Sequence, residues 1–222
     1  MKGINRHSHQ KQILQKVFVV FLGILTMTVM ACSSSEPDAP TGESELPEPP
    51  NVPEPEVPEI SDEELLNLTQ QATFKYFWDY AEANSGAARE RFYPNESSND
   101  PNTVSIGGTG FGLMALIVGV ERGFISRNES VERIDQILNF LASADRFHGA
   151  WPHWLDGTNG TVRPFSEMDN GGDLVETAFL AQGLICIKEY FKDGDETEKS
   201  LANKADTLWK GVEWNWYTQN KN

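Results

Sequence analysis

Cysteine is nearly absent: 222 residues hold two, Cys32 and Cys186, too few for a disulfide framework. Cys186 shares a helical stripe with Val175 and Phe179, which reads as a buried thiol. Basic residues are also scarce. Eighteen Lys and Arg stand against 33 Asp and Glu, a net charge of −15. That balance argues against nucleic acid and anionic membrane surfaces as partners, and leaves neutral polymers such as polysaccharides open. No apolar run is long enough to span a bilayer comfortably; VFVVFLGILTMTVM at 17–30 has only 14 residues. The cluster Gly107-Gly108-Thr109-Gly110 lacks the Lys-Ser/Thr of a phosphate loop and no strand is expected before it, so it reads as close helix packing. His148 and His153 lack helical metal-ligand spacing. Neither a metal nor an organic cofactor is expected.

What is present begins with a targeting signal. Lys2, Arg6, Lys11 and Lys16 precede the short apolar run without a single acid, as in a secretory leader. The run closes on Val29-Met30-Ala31-Cys32, which resembles a bacterial lipobox. Residues 1–31 are therefore expected to be a lipoprotein signal peptide and Cys32 the acylated N-terminus, tying the chain to the outer membrane of a bacterial cell envelope. An ordinary cleaved signal or an uncleaved anchor is the alternative. The tether that follows, 32–60, carries eight of the twelve prolines, eight acids and no Lys or Arg. Such a segment cannot bury enough apolar surface to fold. The remainder, 61–222, holds 14 basic and 25 acidic residues, a net −11.

Five helices are expected there, at about 62–81, 110–124, 127–145, 173–191 and 196–216. Ser61-x-x-Glu64 should open the first as a capping box, ahead of Leu65, Leu68, Ala72 and Tyr76. The second and fourth are apolar almost all round, which predicts burial on every side; the third and fifth are one-sided. Short links follow the buried helices, and long loops, about 82–109 and 147–172, follow the one-sided ones. This alternation of inner and outer helices predicts an all-α toroid of helical hairpins, with its long loops gathered on one functional face.

The loops carry suitable chemistry. ADRFHGAWPHW (144–154) concentrates His148, Trp151, His153 and Trp154, and tryptophan rings offer flat platforms for sugar faces. LDGTNGT (155–161) reads as a turn closing a short hairpin. Arg89 and Arg91 are weaker candidates for binding hydroxyls. The most informative stretch is DNGGDLVETAF (169–179), with Asp173 and Glu176 one turn apart at the mouth of the fourth helix and Asp169 in its approach. Two readings stand: a capping box in which Glu176 reaches back to Asp173, or carboxylates grouped for acid/base chemistry.

TVSIGGTGFGLMALIVGVERGFI (103–125), ADRFHGAWPHW (144–154) and DNGGDLVETAFLAQGL (169–184) resemble the bacterial glycoamylase-like domain. That grouping includes the endo-β-1,2-glucanases of glycoside hydrolase family 144 and a domain of cyclic β-1,2-glucan synthases. The resemblance implies an (α/α)6 toroid and hydrolysis of glucan, above all β-1,2-linked. It also implies that Asp169, Asp173 and Glu176 match the family's cluster of catalytically important acids, with Trp151, His153, Trp154, His148, Arg89 and Arg91 as substrate-binding candidates. Six hairpins at this spacing need roughly 380 residues, whereas 162 follow residue 60. About two and a half hairpins are therefore expected, with the ring incomplete, a further carboxylate beyond Asn222, and activity residing in a longer form that contains this segment. The rival expectation is a surface lipoprotein that binds glycan without cleaving it.

Overall fold

The computed structural model describes residues 60–95 and 100–219. The leader, Cys32 and nearly all of the tether lie outside the described residues. The described chain runs α1 (Asp62–Trp78), β1 (Thr103–Ser105), α2 (Ile106–Glu121), α3 (Arg127–Ser143), β2 (Trp154–Asp156), β3 (Val162–Arg163), α4 (Leu174–Phe191), α5 (Glu196–Lys210) and α6 (Trp214–Tyr217). It is mostly helical. No described helix is long and apolar enough to cross a membrane.

Local chemistry sets the helix starts. Full capping boxes open α3, through Ser126 and Glu129, and α5, through Asp195 and Glu198. At α1 only the serine half forms, Ser61 Oγ accepting the Glu64 amide at 3.2 Å. Its expected apolar face is also displaced. Leu65, Leu68 and Ala72 are exposed, and Phe74 is the residue of α1 that enters the core. The phenyl ring of Phe74 lies where a β-carbon on Gly119 of α2 would be, so the glycine and not the leucine stripe sets how α1 docks. Helix α5 stops at Lys210 instead of continuing to 216, because the Glu213 amide is drawn across to the His148 carbonyl at 3.0 Å.

Helices α2 and α4 meet backbone to backbone. A β-carbon on Gly110 would lie 2.7 Å from Leu180 Cα, and one on Gly183 would lie 2.9 Å from Gly110 Cα. The glycine cluster is thus a packing device. Gly110→Ala should lower stability by about 1–3 kcal/mol despite alanine's better helix propensity, because a backbone neighbour cannot move aside. Gly171→Ala, with nothing within 4 Å of its added carbon, should be close to neutral. Urea midpoints of the two variants check this.

Helices α2 and α4 are not buried on every side, although their sequences predict it. Phe111 and Val118 on α2 and Val175, Phe179 and Ile185 on α4 are exposed, because no described element packs over that side of the pair. Cys186 is accordingly half-buried, not buried. The core proper lies on the other side, where Leu113, Leu116, Leu180, Leu184 and Ile187 meet Ile134, Leu138 and Leu141 of α3 and Leu201 and Ala205 of α5.

The all-α expectation needs a correction. A three-stranded antiparallel sheet, in the order β1-β2-β3, sits at the N-terminal ends of α2 and α4. Its register pairs Ser105 with Trp154 and Val104 with Leu155, and Trp154 in turn with Arg163. Strands this short carry no periodic signal, so only the β2–β3 hairpin, with Gly160 at φ +78°, was legible. A strand therefore does precede the glycine cluster, contrary to expectation. The backbone of 88–90 extends the sheet beyond β1, through Glu90 N to Thr103 O at 2.9 Å and Ser105 N to Ala88 O at 3.0 Å. That segment hangs from a tight turn around buried Glu82. Burial alone would raise its carboxyl's pKa, but hydrogen bonds from Ser85 and Asn84 outweigh this and hold it below the usual carboxylate range.

Candidate active site

Asp173 is the N-cap of α4. Its Oδ1 accepts the amides of Val175 at 2.9 Å and Glu176 at 3.0 Å, and its Oδ2 lies 3.0 Å from His153 Nδ1. Its own amide donates to the Trp151 carbonyl at 2.8 Å. Glu176 therefore does not close a capping box. Its Oε2 instead crosses to the start of α2, accepting the Gly107 amide at 2.8 Å and the Ser105 hydroxyl at 3.2 Å. Helices α2 and α4 thus each present their N-terminal end to a carboxylate, the favourable sign for a helix dipole. Only half of the capping reading survives. Glu176 serves another helix, and its Oε1 carries no hydrogen bond among the described residues.

Beside this pair stands an aromatic wall. The His153 and Trp154 rings meet edge to face at 5.0 Å, and Phe165 lies 5.2 Å from His153 and 4.8 Å from Trp154. His153 and Trp154 are half-buried and Phe165 is exposed, so the wall is open to solvent. An apolar platform next to half-buried carboxylates can bind a sugar face while presenting acids to a glycosidic bond.

Other expected residues are placed differently. Trp151 is a core residue, not a sugar platform: it is 0% exposed, its Nε1 donates to the Leu141 carbonyl at 3.1 Å, and the Arg146 guanidinium lies 3.9 Å over its ring. Burial in turn lowers the Arg146 pKa. His148 is exposed and makes no ring contact with the wall among the described residues; it is stacked on Trp216 at 3.6 Å and paired with Glu213 at 3.0 Å. Asp169 lies in the exposed 164–170 loop, its backbone bridged to Ser166, and its carboxylate makes no hydrogen bond among the described residues. Arg89 pairs by backbone with Val104 in β1, and its buried Nε has no partner among the described residues. Arg91 is exposed and ion-paired with Glu90, so its charge is already engaged.

Ser105, Gly107 and Phe165 escaped the sequence reading. Phe165 follows a hairpin that brings it back over Trp154, a placement no local pattern encodes. Gly107 stands in the glycine cluster, but its reason is three-dimensional: a β-carbon there would lie 2.8 Å from Glu176 Oε2 and push the carboxylate from its present position. Among the described residues no group of three or more His, Cys, Asp or Glu could hold a metal ion.

No protein-family model matches the chain. The exo β-1,2-glucooligosaccharide sophorohydrolase (non-reducing end) of Parabacteroides distasonis is 50% identical over 163 residues, 73% of this chain and 22% of that protein. The endo-β-1,2-glucanase of Chitinophaga pinensis, solved with sophorotriose and glucose, superposes with a TM-score of 0.71 at 55% identity. This match covers 73% of this chain and 40% of that one. Over this stretch the chain is homologous to β-1,2-glucan hydrolases. A β-1,2-glucanase of P. distasonis agrees, with a TM-score of 0.68 and 47% identity over 74% of this chain and 23% of its own. The chain thus spans between 22% and 40% of the length of these relatives.

Proposed function

We propose that this chain belongs to an exported, lipid-anchored glycoside hydrolase that cleaves glucan, in particular β-1,2-linked glucan, by carboxylate acid/base chemistry. The observation that carries the reading is the placement of the Asp173 and Glu176 carboxylates, one capping α4 and the other reaching from α4 to the N-terminal end of α2, beside the His153–Trp154–Phe165 wall. Relatives about half identical to it are named for β-1,2-glucan hydrolysis. The helical part is read as a segment of an (α/α)6 toroid, α2 and α4 being inner helices and α3 and α5 outer ones.

Glycoside hydrolysis uses one carboxyl to protonate the leaving oxygen and a second to activate water or attack carbon. Asp173 and Glu176 lie in that site, and Asp169, with its free carboxylate on the approach loop, supports them or orients water. Trp154 and Phe165 hold sugar rings. The test is release of reducing ends from linear β-1,2-glucan by the full-length protein carrying this segment, with an α-1,4-glucan as comparison. Hydrolysis of the first and not the second is expected. Binding without cleavage would instead make the protein a surface glycan-binding lipoprotein.

The anchor has its own test. The charged leader, short apolar core and Ala31-Cys32 boundary occur in the order that lipoprotein processing requires. Mass spectrometry of the membrane fraction should find a diacylated or triacylated Cys32. A soluble mature form cut at another position would remove the lipid anchor.

A further inference from the structure

Both carboxylates are held from the same place. The Ser105 hydroxyl, at the end of β1, lies 3.2 Å from Glu176 Oε2, and His153 Nδ1, one residue before β2, lies 3.0 Å from Asp173 Oδ2. These two donors are locked together by the sheet: Ser105 is the register partner of Trp154, and the Ile106 amide donates to the His153 carbonyl at 3.2 Å. Neither donor is loose. Ser105 Oγ also accepts the Gly108 amide at 3.1 Å as the N-cap of α2, and the His153 ring is packed against Trp154 and Phe165. The side chains of His153 and Asp173 are 30% and 20% exposed, so their hydrogen bond is partly withdrawn from competing water.

We infer that Ser105 and His153 are positioning residues, fixing the Glu176 and Asp173 carboxylates through a frame supplied by the small sheet. The inference rests on the hydrolase reading above and adds to it what orients the acids. With Nδ1 engaged by Asp173, Nε2 is the only ring nitrogen left for substrate, so His153 has two separable functions. A carboxylate displaced by 1 Å loses on the order of 100-fold in rate. The frame is therefore expected to act on turnover more than on folding.

The experiment uses the full-length protein and linear β-1,2-glucan. His153→Phe keeps an aromatic ring and removes the donor; His153→Asn restores an amide N–H near the position of Nδ1 but lacks Nε2. Ser105→Gly removes the hydroxyl while retaining a residue tolerated at an N-cap; Ser105→Thr restores the hydroxyl. His153→Phe and Ser105→Gly should each lower kcat about 10- to 100-fold with little change in melting temperature. His153→Asn and Ser105→Thr should recover most of that kcat, and His153→Asn alone should retain a raised KM. Wild-type turnover with unchanged kcat in both donor-less variants overturns the positioning role and leaves the hydrolase reading standing. Loss of kcat that the restoring variants do not recover, or that follows loss of folding, also overturns it. A wild-type protein that cleaves no glucan overturns the hydrolase reading itself, and the positioning role with it.

Discussion

Asp173→Asn and Glu176→Gln are expected to cut turnover on β-1,2-glucan by about 10²- to 10⁴-fold, the usual loss when a general acid or base is removed. Stability should change far less. Asparagine is as good an N-cap as aspartate, so its amide oxygen can still accept the Val175 and Glu176 amides that Asp173 Oδ1 holds. The complete loss of a cap costs only about 0.5–2 kcal/mol. Glutamine at 176 likewise keeps an oxygen for the Gly107 amide. Melting temperature and turnover measured on the same preparations separate catalysis from capping. Variants that melt early yet turn over normally when folded would return both residues to a structural role.

The second large effect separates two tryptophans three residues apart. Trp151→Ala should cost about 3–5 kcal/mol, the range for emptying a buried aromatic site. It would also leave the Leu141 carbonyl without its donor and Arg146 without the ring it covers. A loss of that size approaches the whole stability of many domains, so the protein should be recovered unfolded or insoluble. Trp154→Ala, at the half-buried wall, should fold and bind glucan up to about tenfold more weakly, since an aromatic contact is worth about 0.5–1.5 kcal/mol. Soluble yield and oligosaccharide titration by calorimetry read the two outcomes. A soluble, cooperatively melting Trp151→Ala protein with weakened glucan binding would restore Trp151 to the sugar site.

Trp151 also shows what a sequence cannot show. Its place in ADRFHGAWPHW suggests a sugar platform, and only the third dimension shows it buried in the core. The order of the main helices was legible because amphipathicity differs between α3 or α5 and the nearly uniform α2 and α4. The glycine cluster was legible as packing because a phosphate loop needs residues that are absent. The sheet was not, since β1, β2 and β3 are two or three residues long and each buries at most one side chain. Missing the sheet meant missing Ser105, whose partner Glu176 is 71 residues away. The Asp173–Glu176 spacing places both at one helix end, as the structure has them, yet it suits a capping box equally well. What decides is that Glu176 reaches α2, a long-range contact that no local pattern encodes.

The most direct test of the site is the structure of the Glu176→Gln variant of the full-length protein with a bound β-1,2-gluco-oligosaccharide. The expected arrangement is sugar rings against Trp154 and Phe165, with a glycosidic oxygen or the attacking water within hydrogen-bond distance of Asp173 or the residue at 176. An oligosaccharide bound on another face, touching neither the wall nor these two side chains, would contradict it.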